Sequence, residues 1–287
     1  MILNKIQSYS SYVMGMIIIL TYPLGLYLMF FYKISEEGLN LPFGNLIIFI
    51  SGFPLNFDTL LPVSTLFLLL WSIYLLLGIV ALKFKVSGKR PFLITASTFS
   101  ILYLINDLLE ALQRKLGIEI GSLKTIDPAR DFTSYTLSSI TEEIGFRITL
   151  IGFTALILLT GKVKVSELLK VLWLPKRASS EIKYLYFVAI LSGVIFGLAH
   201  IYGGWKIGKF SEAALFGIVS GFLYINYGFT SPFLLHWAFN YSSTSFFFLP
   251  SIYFTIFSYL TYSLGLVNLI VLIIKFIQKI NFPFLSN

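Results

Sequence analysis

Long apolar segments follow one another along most of the chain, and they restrict its fold more than any other feature. A helix that crosses the hydrocarbon core of a bilayer needs about 20 mostly apolar residues. Lipid offers no partners to backbone N–H and C=O groups, so such segments form helices. The sequence therefore predicts an all-α, multi-pass transmembrane helical bundle of about eight spans. The eight segments, some of which barely qualify, are 12–32, 60–82, 91–106, 135–160, 184–202, 213–227, 231–248 and 252–274.

The composition agrees with a chain that is surrounded by lipid. Hydrophobic residues make up 57% and charged residues only 12% of the 287 residues, whereas average soluble proteins have about 25% charged residues. A soluble domain is therefore excluded, and we expect an integral protein of the cell membrane. The net charge of +8 predicts contact with anionic lipid headgroups and no binding of nucleic acid. The sequence has no Cys, which excludes thiol nucleophiles and Cys-based metal sites.

Two short segments between the spans have their own signals. Residues 41–53 are apolar, but they are few and include Pro42 and Gly52, so we expect an interfacial or re-entrant segment there. Residues 165–173 resemble a helix that lies on the membrane surface. Lys and Arg are in excess in the loops that share a side with both termini, so we expect both termini in the cytoplasm.

The fourth apolar segment carries three ionisable residues, Glu142, Glu143 and Arg147. Each such group costs about 2.5–3.5 kcal/mol on insertion scales and is therefore a functional candidate. Glu143 and Arg147 are spaced i, i+4 and can pair on one helix face. Glu142 lies about 100° further round the helix, where it stays free to accept a proton. The alternative is an ion-pair network that only holds helices together.

Both histidines of the chain also lie within apolar segments. The fifth segment ends in Phe196-Gly-Leu-Ala-His200, and the seventh contains His236-Trp-Ala-Phe-Asn240. A single intramembrane histidine is usually a hydrogen-bonded structural residue. Two such histidines, together with glutamates, an arginine and an asparagine, form a set that is able to bind and activate water.

Two small-residue motifs predict that the fifth and sixth spans pack closely. Gly193 and Gly197 lie on the fifth span, and Gly217 and Gly221 lie on the sixth. Small residues four apart allow helix backbones to approach each other.

These residues resemble three ordered motifs of the CAAX prenyl endopeptidase and bacteriocin-processing (CPBP) family of intramembrane proteases. The resemblance covers residues 134–248, which we interpret as the protease core. Residues 1–133 are N-terminal spans with a polar connection and no recognised domain, and residues 249–287 are a last span with a cytoplasmic tail. The matching motifs are E-E-x-x-x-R at Glu142, Glu143 and Arg147, F-x-x-x-H at Phe196 and His200, and H-x-x-x-N at His236 and Asn240.

The resemblance implies a membrane-embedded endopeptidase that hydrolyses a peptide bond with a glutamate-activated water. It implies that Glu142 is the general base, assisted by His200, and that His236 and Asn240 form the oxyanion hole. Glu143, Arg147 and Phe196 become supporting residues. The expected partners are a peptide or protein substrate, with a lipidated C-terminus as one option, and membrane lipid.

Two alternatives stay open at this point. Zinc is a possible cofactor, with Glu142, His200 and His236 as ligands, because two histidines, a glutamate and a water form a known catalytic site. The H-E-x-x-H cassette is absent, so three separate helices would have to provide those ligands, and we favour a metal-free glutamate base. The alternative function is a non-proteolytic membrane carrier or bacteriocin-immunity-type protein that uses the same polar cluster.

Overall fold

Helices make up nearly all of the chain that the computed structural model describes, which is residues 2–31, 45–50, 53–58, 63–86, 88–121, 128–159, 164–177 and 182–281. The α-helices are α1 (Ile2–Phe31), α2 (Val63–Lys83), α3 (Pro91–Lys115), α4 (Pro128–Glu143), α5 (Phe153–Leu159), α6 (Val165–Trp173), α7 (Ile182–Tyr202), α8 (Lys209–Tyr227), α9 (Thr230–Ser245) and α10 (Ser251–Asn281). Short 3₁₀ turns follow α6 at Pro175–Arg177 and α9 at Phe246–Phe248. The described parts of all eight apolar segments are helical, which confirms the predicted all-α class apart from one hairpin.

The described part of the segment 41–53 belongs to a β-hairpin, and its interfacial or re-entrant position stays a prediction. Strand β1 (Asn45–Ile50) pairs antiparallel with β2 (Phe53–Asp58), in a register that places Asn45 opposite Asp58. Isoleucine and phenylalanine, which are abundant here, favour strands. A short apolar run does not by itself distinguish a strand from a helix.

Within the described parts of the chain, four helices are long and apolar enough to cross a membrane: Ile2–Leu28, Pro91–Lys115, Ile182–Tyr202 and Ser251–Gln278. They support an integral membrane protein, while the number of about eight spans stays a prediction. Helix α6 has the bounds that were expected for the surface helix at 165–173.

Helix α4 begins earlier than predicted. The span was placed at 135–160, but the helix starts at Pro128, and a π-helical segment, Ile144–Gly152, joins α4 to α5 without a break. The first turns were missed because Pro128–Ser134 is polar, although Phe132 is completely buried. As a consequence Glu142 lies near the middle of a continuous helical segment.

Helix α9, which carries His236 and Asn240, lies at the centre of the bundle. It contacts α1, α2, α3, α4 and α8, and every residue from Thr230 to Ala238 is buried. Its 16 residues rise only about 24 Å, which is less than the hydrocarbon thickness of about 30 Å. It is therefore a core helix that other helices surround.

Aromatic side chains pack α9 against α1, α2 and α4. Trp237 stacks on Tyr241 with ring centroids 5.0 Å apart, and Trp71 lies edge-on to both rings at 5.7 and 5.4 Å. Tyr74 of α2 stacks on Phe233 at 4.7 Å and donates a hydrogen bond to the Thr136 carbonyl of α4. This cluster fixes the position of the helix that carries His236.

Helices α7 and α8 pack along each other through the predicted glycines. A Cβ atom built on Gly193 would lie 2.5 Å from the backbone nitrogen of Ile218, and one on Gly217 would lie 2.7 Å from the Cα of Gly193. Such distances leave no room for a side chain, which confirms the predicted close approach.

Candidate active site

A buried ion pair on α4 and the π-helical segment forms the base of the site. Arg147 Nε donates to Glu143 Oε2 at 2.9 Å, and neither side chain has any exposed surface. This confirms the i, i+4 pairing. Arg147 also donates to Ser192 Oγ of α7 at 3.1 Å, and Ser192 in turn donates to the Phe146 carbonyl at 2.8 Å. The guanidinium therefore connects the fourth and fifth predicted spans.

The same carboxylate holds a histidine, which the sequence did not predict. His236 Nδ1 lies 2.9 Å from Glu143 Oε1. A carboxylate that is paired with Arg147 can only accept, so Nδ1 is the donor and carries a proton. The Glu143 carboxylate thus accepts from Arg147 and from His236 at the same time, and it orients the His236 ring.

Glu142 has different surroundings from its neighbour. Its side chain is 19% exposed, and Oε2 lies 3.8 Å from Nε2 of His236. That separation is too long for a direct hydrogen bond and suits a bridging water. The two adjacent glutamates thus differ in the way that their spacing predicts, because only Glu143 is paired with Arg147.

The π-helical segment begins directly after Glu143. Its wider turn is rare and occurs mostly at functional sites of α-helices. The sequence offers no periodicity signal for it, because an α-helical pattern fits Ile144–Gly152 equally well.

His200 lies at the end of α7 and is partly buried. Its Nδ1 is 2.9 Å from the Phe196 carbonyl, which can only accept, so Nδ1 carries the proton and Nε2 is the acceptor in the neutral ring. The Phe196 ring lies close to three polar side chains of the site: it is 4.7 Å from the His200 ring, 5.9 Å from the His236 ring and 5.2 Å from the Arg147 guanidinium carbon.

Asn240 joins α9 to α4. Its Nδ2 donates to the Tyr135 carbonyl at 2.9 Å and to the Ser138 hydroxyl at 3.0 Å, with Ser139 at 3.3 Å. A role as an oxyanion donor would require one of these N–H groups to turn toward substrate.

A cavity of about 100 Å³ brings together several of the predicted residues. Phe196 and His200 of α7 line it, together with His236 and Asn240 of α9. It also contains three polar residues that sequence reasoning missed. The signal for two of them was present, because Asn106 ends the third apolar segment and Glu212 immediately precedes the sixth. The lining residues are Asn106, Phe196, His200, Lys209, Glu212, Ala213, Phe216, His236, Phe239 and Asn240.

The zinc alternative requires Glu142, His200 and His236 to meet at one point. Among the residues with described placement, no three His, Asp or Glu side chains are grouped so that they could hold a metal ion. The donor set of Glu142, His200 and His236 therefore does not fit a three-ligand site in this arrangement, and no step of the reaction below is assigned to a metal.

Comparison with known proteins gives one match. A family model described as type II CAAX prenyl endopeptidase Rce1-like matches residues 132–242. A search of curated proteins and a search of solved structures each gave no match. The matched range contains all seven residues of the three motifs and nearly coincides with the predicted core at 134–248. Residues 132–242 are therefore similar to Rce1-like type II CAAX prenyl endopeptidases, and the four apolar helices among the described residues support an integral membrane protein.

Proposed function

We propose that the protein is an intramembrane endopeptidase in which Glu142 activates a water molecule for peptide hydrolysis. The observation that carries the proposal is the buried network in which Arg147 holds Glu143, Glu143 orients His236, and His236 lies 3.8 Å from Glu142, the more exposed of the two carboxylates. A network that only joined helices would have no need for a second, less buried carboxylate beside it.

The reaction begins with a water between Glu142 and His236. Glu142 takes one proton from this water, and the resulting hydroxide attacks the carbonyl carbon of the scissile peptide bond. His200, whose Nε2 is an acceptor and which lines the cavity together with His236, assists in holding the water. Glu142 then transfers its proton to the leaving nitrogen, the C–N bond breaks, and a carboxylate and an amine are released.

The developing oxyanion needs hydrogen-bond donors. His236 supplies one from Nε2 when it is protonated, and the adjacent Glu143 carboxylate stabilises that imidazolium. Asn240 supplies a second donor after one of its N–H groups leaves α4. Removal of one such donor in a protease costs about 10²–10³ in kcat.

The proposal includes no metal cofactor and no nucleic-acid partner. Its substrate is a peptide or protein that reaches the cavity from within the membrane of the cell, and a lipidated C-terminus fits this route because the lipid would partition into the bilayer. Membrane lipid is the second partner.

Terminal proteomics of membranes tests the function without knowledge of the substrate. Cells with the wild type are compared with cells that carry Glu142→Gln, and the proposal expects uncleaved precursors to accumulate in the variant. Glu167→Gln on the exposed surface of α6 is the matched control. Identical termini in all three samples would contradict proteolysis and leave the carrier or immunity-type alternative.

A further inference from the structure

The cavity contains polar groups on α3 and α8 that the proposed reaction does not use. These are Asn106 on α3 and the pair Lys209 and Glu212 in the first turn of α8. They share the cavity with His236 and Asn240 of α9, so a molecule in contact with the histidine is within reach of them.

Glu212 is the most deeply buried of these groups. Its side chain is 6% exposed, and its Oε2 accepts a hydrogen bond from Lys209 Nζ at 3.0 Å. Its second oxygen, Oε1, is buried and has no hydrogen-bond partner among the described residues. A buried acceptor without a donor is costly, because it has lost its hydration and gained nothing in return.

Asn106 repeats this pattern on the facing helix. Its Oδ1 is likewise buried and finds no donor in the part of the chain that the structure describes. The cavity is therefore lined by two side chains that each have one unsatisfied oxygen, and both oxygens are acceptors. A ligand that suits this wall must present hydrogen-bond donors.

The nearby cation does not change that requirement. Lys209 is paired with Glu212, and its ammonium lies 4.8 Å above the Trp205 ring. Its charge is thus already balanced, which disfavours an acidic ligand at this position. An extended peptide, in contrast, presents N–H donors along its length at a rise of about 3.3 Å per residue.

We propose that Asn106 and Glu212 form a peptide-binding subsite, in which Asn106 Oδ1 and Glu212 Oε1 accept hydrogen bonds from backbone N–H groups of the substrate. The subsite rests on the proposed proteolytic function and deepens it. Asn106 and Glu212 hold the substrate chain so that the scissile carbonyl faces Glu142 and His236, and Lys209 keeps the Glu212 carboxylate in place. The subsite reads the peptide backbone and not side chains, so it accepts varied sequences.

Three variants separate the loss of an acceptor from a general disturbance. Asn106→Leu removes the oxygen, whereas Asn106→Asp keeps it. Glu212→Gln replaces the acceptor Oε1 by a donor. The Lys209 ammonium can only donate, so it stays bonded to the amide oxygen, and the NH₂ group then occupies the position of Oε1. Glu167→Gln, which alters the exposed Lys170–Glu167 pair at 2.5 Å, is the matched control.

The probe is a fluorogenic farnesylated peptide that ends in a CAAX tetrapeptide, together with versions that are N-methylated at one backbone nitrogen at a time. Cleavage is followed with purified full-length protein in detergent, and binding is followed by fluorescence anisotropy in the Glu142→Gln background. For Asn106→Leu and Glu212→Gln we expect KM and the dissociation constant to rise about tenfold, as for one hydrogen bond to a charged or buried group. We expect kcat to stay within about twofold, since the reacting groups are untouched.

The N-methylated peptides identify the donor. Methylation of the nitrogen that Asn106 binds should weaken peptide binding to the wild type but should not change binding to Asn106→Leu. Asn106→Asp should respond to methylation as the wild type does. If methylation at every position weakened binding equally in the wild type and in Asn106→Leu, the subsite would be overturned. Wild-type values of KM and kcat in both Asn106→Leu and Glu212→Gln would overturn it as well. If the wild type neither cleaves nor binds any of these peptides, the proposed function fails together with the subsite.

Discussion

Replacement of each adjacent glutamate by glutamine tests the division of roles between Glu142 and Glu143. Glu143 accepts from Arg147 Nε at 2.9 Å and from His236 Nδ1 at 2.9 Å, and its side chain has no exposed surface. Glutamine offers one acceptor and one donor group, so either Arg147 or His236 would face an N–H group. The Glu142 side chain, by comparison, is 19% exposed, and its Oε2 lies 3.8 Å from Nε2 of His236.

The magnitude follows from these contacts. Loss of one partner of a buried ion pair costs about 3–5 kcal/mol, and glutamine keeps one of the two hydrogen bonds, so we expect a loss of about 3 kcal/mol for Glu143→Gln. At about 2–4 °C per kcal/mol for a chain of this size class, the melting temperature should fall by about 6–12 °C. Glu142→Gln breaks no direct hydrogen bond to His236, so we expect a change within about 0.5 kcal/mol.

Thermal unfolding of the purified proteins in detergent, followed by tryptophan fluorescence, measures the stability, and cleavage of the farnesylated peptide measures turnover. Both variants should lose cleavage, but only Glu143→Gln should melt early. The double variant Glu143→Gln/Arg147→Met should recover part of the lost stability, because no unpaired guanidinium then remains buried. Full turnover by Glu142→Gln, or a larger drop in melting temperature for Glu142→Gln than for Glu143→Gln, would refute the assignment.

Four further predictions concern Asn240, the contact between α7 and α8, the loop at Lys89 and metal dependence. Asn240→Ala should lower kcat by about 10²-fold with little change in KM, and a KM effect alone would show that Asn240 only binds substrate. Gly193→Val should reduce thermal stability by about 1–3 kcal/mol or more, because the new side chain meets the Ile218 backbone; an unchanged melting curve would contradict the close approach of α7 and α8. A cysteine at exposed Lys89 should resist an impermeant reagent applied outside intact cells, since we expect its loop in the cytoplasm, and prolonged chelation should leave the activity of the purified protein unchanged.

Local geometry made part of the site predictable from sequence. The i, i+4 spacing determined that Glu143 and Arg147 pair, and long apolar runs determined where the helices lie. The contact between His236 and Glu143 joins residues 93 positions apart, and no local rule states which oxygen of which glutamate the ring will meet. The motif resemblance named both residues as members of the site, but their contact with each other had to come from the structure.

Other features escaped for physical reasons that differ from case to case. The start of α4 was missed because hydropathy does not detect a polar helical turn, even when one residue such as Phe132 is buried. The hairpin at β1 was missed because period and length are ambiguous in a short apolar run. Asn106 and Glu212 were missed because each is unremarkable on its own helix, and their significance arises only where α3 and α8 meet at one cavity.

The central position of α9 has a consequence for how the protein tolerates its surroundings. Because other helices enclose α9, acyl chains do not press on the segment that carries the two key side chains. A thicker or thinner bilayer is met first by the outer helices, which tilt at modest cost, and α10 in particular exposes many large apolar side chains along its length. Changes in bilayer thickness therefore do not act directly on α9. The outer helices tolerate substitutions that keep their surface apolar, whereas substitutions in α9 must preserve the volume and shape of its side chains.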